Sequence, residues 1–110
     1  MISYEEFEKV DIRVGKIVNV EDTEGLHILA YKMTIDFGEE IGQKISIGQY
    51  TKNYTKEDLM DRLMMGVVNF EPKKIGTYYS EILTLGFDDE NGEAVLAVPN
   101  KEIKPGTRMF

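Results

Sequence analysis

The sequence contains no cysteine and only one histidine, His27. Without cysteine the chain can form neither a disulfide scaffold nor a thiolate metal site, which agrees with a reducing compartment. A hydroxyl nucleophile would need His27 together with an orienting acid, but His27 lies in an expected loop between strands. The scarcity of these residues argues against an enzyme.

Long apolar runs and ligand-binding motifs are missing as well. No stretch approaches the ~20 apolar residues of a membrane span, and residues 1–6 lack the basic region and apolar run of a secretory signal. No glycine-rich phosphate loop precedes a helix, and residues 88–92 lack the alternating ligands and distal glutamate of a calcium loop. We therefore expect a cytoplasmic protein with no membrane partner, no metal ion and no other cofactor.

The overall composition fits one globular domain that spans residues 1–110. Of the 110 residues, 42% are apolar and 30% are charged, and a domain of this size supports one modest core. The formal net charge of −7 argues against non-specific coating of nucleic acid. Residues 41–80 nevertheless carry six basic and four acidic side chains, whereas the remainder carries seven basic and sixteen acidic ones. Any anion-binding surface is expected in this middle part of the chain.

Apolar residues at every second position predict strands in the first half of the chain. Lys16 interrupts the first strand and Gly15 is a candidate β-bulge. The apolar face of this first strand is predicted to comprise Val10, Ile12, Val14, Val18 and Val20. The second strand alternates without interruption, and its apolar residues are Leu29, Tyr31, Met33, Ile35 and Phe37. A turn over residues 38–42 and a shorter strand with Ile45 and Ile47 are expected to follow.

Capping boxes and turn residues organise the rest of the chain. Residues 3–6 (Ser-Tyr-Glu-Glu) and 55–58 (Thr-Lys-Glu-Asp) each predict the start of a short helix. Residues 63–70 are nearly all apolar, as in a strand that is buried on both sides, and Pro72 ends it. Residues 81–87 and 93–98 predict two further strands. Several short strands with one internal helix predict an all-β fold, a closed antiparallel barrel, because closure removes exposed edges.

Aromatic residues accompany the lysines of the middle segment. Such rings could stack on bases, grip apolar peptide side chains, or simply lie half-buried with the hydroxyl in water. The residues concerned are Tyr50, Tyr54, Tyr78 and Tyr79, beside Lys52, Lys56, Lys73 and Lys74. Of these lysines, Lys73 and Lys74 follow Pro72 in an expected loop. Met60, Met64 and Met65 could likewise form an adaptable surface or fill the core.

Three motifs stand in a fixed order along the chain. They are residues 11–17 (Asp-Ile-Arg-Val-Gly-Lys-Ile), residues 67–75 followed by Ser-Glu-Ile-Leu at 80–83, and Pro-Gly-Thr-Arg at 105–108. In this combination the chain resembles the tRNA-binding-domain family, which includes free-standing tRNA-binding proteins and C-terminal appendages of some methionyl-tRNA synthetases. Residues 35–42, 49–54 and 69–72 make it most similar to the CsaA branch of export-related chaperones.

This resemblance implies an OB-fold, a five-stranded antiparallel β-barrel with short helices and added terminal elements. It also implies a homodimer whose apolar clefts accept unfolded or preprotein polypeptide. The side chains expected to contact such a polypeptide or to orient the cleft wall are Gln49, Tyr50, Asn69, Phe70, Tyr79, Ser80 and Glu81. Glu81 could instead form a structural contact inside the barrel wall.

The alternative function is structure-specific binding of tRNA. Its expected contact residues are Lys44, Lys52, Lys73, Lys74 and Ser80. Members that bind tRNA typically show His-Pro-x-Ala-Asp-Lys-Leu where residues 26–32 here read Leu-His-Ile-Leu-Ala-Tyr-Lys, and many carry lysine where this chain has Tyr79. These departures favour polypeptide over RNA. A dimerising module without a client of its own is the third possibility.

Overall fold

The computed structural model describes all 110 residues, and it confirms the predicted all-β barrel of the OB type. Five antiparallel strands form the barrel wall in the order β3-β2-β1-β4-β7. The hairpins β5–β6 and β8–β9 are added to it. The elements are α1 (Tyr4–Glu8), β1 (Ile12–Asp22), β2 (Tyr31–Asp36), α2 (Gly38–Ile41), β3 (Gln43–Gly48), α3 (Lys56–Leu59), β4 (Leu63–Val67), β5 (Lys73–Ile75), β6 (Tyr78–Ser80), β7 (Leu83–Thr84), β8 (Gly86–Asp88) and β9 (Ala94–Leu96).

The first strand, β1, changes its buried face at a bulge that the sequence placed wrongly. Its register against β2 shifts between Ile17 and Asn19, so the bulge lies near Val18 and not at Gly15. Val18 consequently leaves the face that buries Val20. Position 15 needs glycine for another reason, because a Cβ there would lie 2.5 Å from the Cγ2 atom of Ile35.

The strands β2 and β3 show which apolar residues face the interior. Tyr31, Met33 and Ile35 of β2 are buried as predicted. Leu29, in contrast, precedes the strand and is 65% exposed. In β3 the buried side chain is Ser46, whereas Ile45 and Ile47 are half-buried on the opposite face. The sequence pattern therefore identified β3 correctly but not the face that it buries.

Both predicted helix starts are confirmed. The Ser3 hydroxyl accepts a hydrogen bond from the Glu6 N–H, and the Glu6 carboxylate accepts one from the Ser3 N–H. Thr55 and Asp58 make the same reciprocal pair at α3. The hydrogen bond from the Thr55 N–H is the main cause that lowers the pKa of the Asp58 carboxyl below its usual value. The predicted turn at residues 38–42 contains the single helical turn α2.

The second half of the chain departs from the prediction in three places. The strand β4 ends at Val67, so Phe70 is not part of it and is 56% exposed. Lys73 and Lys74 lie in β5, which pairs with β6, and not in a loop. The predicted strand over residues 81–87 is divided into β7 and β8.

The core fills the inside of the barrel. Its fully buried side chains include Ile17, Met33, Ile35, Phe37, Leu59 and Met64. Met64 is therefore a core residue, while Met60 is 38% exposed. No helix of the protein is both long and apolar enough to cross a membrane.

Candidate binding groove

A surface groove lies between the outer face of β2–β3 and the β5–β6 hairpin. Since side chains alternate along a strand, Lys32 and Ile45 point outward from the sheet that buries Met33 and Ser46. The groove has a volume of about 560 Å³ and is lined by Lys32, Ile45, Pro72, Thr77, Tyr78, Tyr79 and Glu81. We refer to it as the first groove.

One wall of the first groove is also the place where the barrel closes. The Ile45 N–H donates to the Glu81 carboxylate at 2.9 Å, and the Glu81 N–H donates back to the Ile45 carbonyl at 2.7 Å. The Ile47 N–H donates to the Ser80 hydroxyl at 3.0 Å. We call these contacts of β3 with Ser80 and Glu81 the seam. They satisfy an edge of β3 that would otherwise expose unpaired N–H groups.

Buried polar contacts support the seam from inside the barrel. The hydroxyls of Ser46 and Thr84 are 2.8 Å apart, and both residues are buried. The Tyr50 hydroxyl donates to the Thr84 carbonyl at 3.3 Å. Because Tyr50 is only 5% exposed, burial raises the pKa of its phenol to about 12. Tyr50 thus connects the segment after β3 to β7.

The first groove has aromatic and apolar walls and little charge. Tyr79 is 58% exposed, and its ring lines the groove with Pro72 and Ile45. The ammonium of Lys32 lies 3.8 Å from the carboxylate of Glu21. With one lysine and one glutamate among its lining residues, the groove is nearly neutral and suits a partner that is itself mainly apolar.

Of the residues that the sequence proposed for polypeptide binding, some lie at the first groove or its seam and others lie outside it. Tyr79 and Glu81 line the first groove, and Ser80 lies beside them in the seam. Gln49 and Phe70 are exposed but are not among the groove's lining residues. Their contact with a partner stays a prediction.

Tyr50 and Asn69 already have partners inside the chain. Tyr50 lies in the core, so its ring does not reach the groove surface. The Asn69 side chain accepts from the Asp11 N–H at 3.0 Å and donates to the Lys9 carbonyl at 2.7 Å. Asn69 therefore fastens the chain segment between α1 and β1.

The residues proposed for RNA binding do not gather around the first groove, apart from Ser80. Lys73 and Lys74 are exposed on β5, and neither lines the groove. Lys52 lines a different surface groove, and Lys44 is half-buried on β3 opposite Ile35. The four lysines thus lie on three different segments, β3, the segment after it and β5.

Sequence reasoning missed several lining residues of the first groove. Ile45 was assigned to a strand without its outward direction, because the pattern of β3 does not reveal that Ser46 faces Thr84. Pro72 was read as a strand terminator only. Lys32 lies beside the β5–β6 hairpin only because of tertiary packing, and no signal in the sequence could have indicated this contact.

A second surface feature is the apolar outer face of β1, β4 and β7. The registers Ile12↔Val67, Val14↔Met65 and Val67↔Leu83 place these side chains on the face opposite the barrel interior. Leu83 is 49% exposed. We call this set the apolar outer face: Ile12, Val14, Met65, Val67 and Leu83.

The C-terminal segment and the start of β1 are joined by charged contacts. Arg13 forms an ion pair with Asp11 at 2.6 Å and donates to the Gly106 carbonyl at 3.0 Å. The hydrogen bond to Asp11 is the main cause that raises the pKa of Arg13 above its usual value. Arg108 lies 3.5 Å from the same carboxylate. The first and last sequence motifs are therefore one structural unit.

Two solved structures with the same fold are described as CsaA chaperones. The chain is 39% identical to chaperone CsaA from Bacillus anthracis, with a TM-score of 0.93 and coverage of 100% of this chain and 99% of that one. It is 42% identical to the CsaA chaperone protein from Picrophilus torridus, with a TM-score of 0.93 and full coverage of both chains. The similarity to the CsaA branch that the sequence indicated is thus confirmed.

Curated relatives and a family profile agree on the domain. The methionine–tRNA ligase of Thermococcus onnurineus is 38% identical over 108 residues, which are 98% of this chain. The chain spans only 14% of the length of that ligase. The profile of the family described as "Putative tRNA binding domain" matches residues 12–108. The chain therefore belongs to the tRNA-binding-domain family.

Proposed function

We propose that this protein is a CsaA-like chaperone, a cytoplasmic homodimer that binds unfolded or preprotein polypeptide and catalyses no reaction. The observation that carries the proposal is the composition of the first groove. Its apolar and aromatic side chains stand beside one lysine and one glutamate. A groove of this kind suits the side chains of an extended polypeptide better than a chain of phosphates.

In the proposed complex, the exposed Tyr79 ring and the side chains of Ile45 and Pro72 contact apolar groups of the client. Ser80 and Glu81 act indirectly, because their hydrogen bonds hold β3 in the position that forms the groove wall. Gln49 and Phe70 lie outside this lining and would extend the contact. The similarity to two proteins described as CsaA chaperones supports the assignment.

The apolar outer face is the surface that we propose for pairing of two copies. Its neighbours include exposed apolar side chains of both terminal segments, such as Tyr4 at 66% and Met109 at 44% exposure. The Met109 N–H donates to the Ile12 carbonyl, so the C-terminal segment lies beside this face. A second copy would remove these apolar groups from water, at roughly 25 cal/mol for each Å² buried.

A client-protection assay tests the proposal. The wild-type protein is expected to suppress light scattering of an unrelated denatured enzyme, with saturation near one client chain per dimer cleft. Tyr79→Ser should weaken suppression several-fold. Phe87→Ser is the matched control, because Phe87 is 67% exposed on β8 and does not line the first groove. No suppression by the wild type, or equal loss in both variants, contradicts the proposal.

tRNA binding is the second candidate, and the family profile favours it. The exposed residues Lys73, Lys74 and Tyr79 share the β5–β6 hairpin, where they could meet a phosphate and a base. Four lysine–phosphate contacts would give a log–log salt slope of about −3, and the hairpin pair alone about −1.4. A slope near zero, or no shift of tRNA at low salt in a gel, removes this candidate.

A further inference from the structure

A second groove lies on the side of the loop that joins β1 to β2, residues 23–30. It has a volume of about 450 Å³, and its lining includes Leu26, Ile28 and Leu29 from this loop and Thr51 and Lys52 from the segment after β3. Ile28 is 39% exposed and Leu29 is 65% exposed. The exposed aliphatic groups of this loop therefore border a concave surface.

The loop is held in place at its base. The Thr23 hydroxyl donates to the Ala30 carbonyl at 2.8 Å, and the Glu24 N–H donates to the Tyr78 hydroxyl at 3.0 Å. Leu26 packs on Gly76 of the β5–β6 hairpin so closely that a Cβ at that position would overlap it. The base of the loop is therefore already fixed in the absence of a ligand, and the groups at its tip do not have to be ordered on binding.

Those outer groups include hydrogen-bond donors with no partner in the protein. The backbone N–H groups from Gly25 to Leu29 donate to no protein atom. N–H groups without a protein acceptor, on a loop whose residues are mostly exposed, complement a ligand that offers carbonyl oxygens and apolar side chains in alternation. An extended polypeptide has this composition.

We propose that the second groove is a further subsite for extended polypeptide, which takes main-chain carbonyls on the loop amides and aliphatic side chains on Leu26, Ile28 and Leu29. The inference rests on the proposed polypeptide binding in the first groove. The two grooves adjoin, because Tyr78 lines the first groove and its hydroxyl holds Glu24 beside the second.

The dimensions of the molecule set the lengths of the peptides that compare the two grooves. The two shorter principal extents are 30 Å, and an extended chain advances ~3.3 Å per residue. A segment of about nine or ten residues is therefore long enough to pass over both grooves, whereas a segment of about four residues covers less than half of that extent.

The lining of the second groove distinguishes polypeptide from nucleic acid. Its one aromatic ring, Tyr31, is 8% exposed and donates its hydroxyl to the Tyr54 carbonyl, so it offers no face to a base. Lys52 is the one basic side chain in the lining, and the carboxylate of Asp22, which also lines the groove, forms an ion pair with Lys56 at 2.8 Å. Aliphatic groups without an exposed ring provide no stacking platform.

An NMR titration of the ¹⁵N-labelled protein with peptides tests the inference directly. The probes are an uncharged ten-residue peptide of alternating Val and Ser and its four-residue fragment. The longer peptide is expected to move the amide signals of residues 25–29 downfield, because these N–H groups gain acceptors. Both peptides should move signals around Tyr79. Shifts around Tyr79 without shifts at residues 25–29 overturn the inference but leave the proposed function intact, while no shift anywhere contradicts both.

Affinity measurements with variants supply the second arm. Leu29→Ser should weaken the ten-residue peptide about tenfold and leave the four-residue peptide unchanged. Phe87→Ser, also at an exposed apolar site, should change neither affinity. Equal losses of peptide affinity in both variants overturn the inference. It is also overturned if Leu29→Ser keeps its affinity for the peptide but loses affinity for single-stranded RNA.

Discussion

The two halves of the barrel's outer surface differ in composition although they enclose the same core. The apolar outer face belongs to β1, β4 and β7; Val14 and Val67 are already buried there, at 3% and 4% exposure, while Leu83 is 49% exposed. The outer face of β2 and β3 carries Lys32, Thr34, Asp36, Gln43, Ile45 and Ile47. An exposed apolar patch such as that around Leu83 is suited to permanent cover by another copy, while a mixed surface is suited to a partner that binds and leaves.

The two halves also close the sheet in different ways. On the β4 side, the short strand β7 continues the ladder through Gly66 and Val67. On the β3 side, the seam combines the side chains of Ser80 and Glu81 with one backbone hydrogen bond from the Glu81 N–H. A wall held mainly by side chains has a weaker edge than a wall held by a continuous backbone ladder.

The largest effect is expected from a charge on the apolar outer face. Leu83→Lys would bury an unpaired ammonium between two copies, and the dissociation constant of the dimer should rise at least about 100-fold, or roughly 3 kcal/mol. Sedimentation velocity at micromolar concentration measures the change. Thr34→Lys on the mixed face is the matched control and should remain dimeric. A wild-type monomer, or dimers of Leu83→Lys, would contradict the assignment of this face.

Alkaline pH should weaken the inner support of the seam. The pKa of Tyr50 is about 12 in the folded protein, and about 10 when unfolded. Below pH 10 both states keep the proton, so stability is unaffected. As pH rises from about 10 to 12, only the unfolded state loses it, and the free energy of unfolding should fall by about 2 kcal/mol.

Urea denaturation at pH 8 and pH 11.5 measures this effect. Tyr50→Phe should have a smaller decrease than the wild type, whereas Tyr79→Phe, which changes an exposed ring, should match the wild type. An unchanged decrease in Tyr50→Phe would show that other groups cause it.

Loss of the seam carboxylate should have a smaller effect. Glu81→Ala leaves the Ile45 N–H without its acceptor, and the free energy of unfolding should fall by about 1.5 kcal/mol. Glu81→Gln keeps an oxygen acceptor and should retain most of that stability. Urea denaturation measures both, with Glu71→Ala as the exposed control. Equal stability of Glu81→Ala and wild type would mean that water replaces the seam.

The smallest effect is expected from the seam hydroxyl. Ser80→Ala removes the acceptor of the Ile47 N–H and a donor to the Ile82 carbonyl, at about 1 kcal/mol. The same denaturation experiment applies, and Thr77→Ala on the exposed hairpin turn serves as its control. A cost larger than that of Glu81→Ala would reverse the ranking of the two seam contacts.

For much of the candidate site, the sequence indicated which segment is involved but not which side chains face the groove. The sequence placed Tyr79, Ser80 and Glu81 together, since they are consecutive, and the structure puts all three at the first groove or its seam. It could not assign Tyr50 to the core, because a tyrosine may face either way on a half-buried segment. The partners of Asn69 within the chain were not foreseeable either, since Lys9 and Asp11 are about sixty residues distant in sequence.

The sequence by itself determined the family, the alternation of β2 and the two capped helix starts, because these depend on motifs and on neighbours within a few residues. Only the tertiary structure decided which face of β3 is buried. Ser46 turns inward because its hydroxyl meets that of Thr84, which lies 38 residues away, and Ile45 is thereby left outside to line the groove. A contact at that separation is set by barrel closure, and local periodicity carries no information about it.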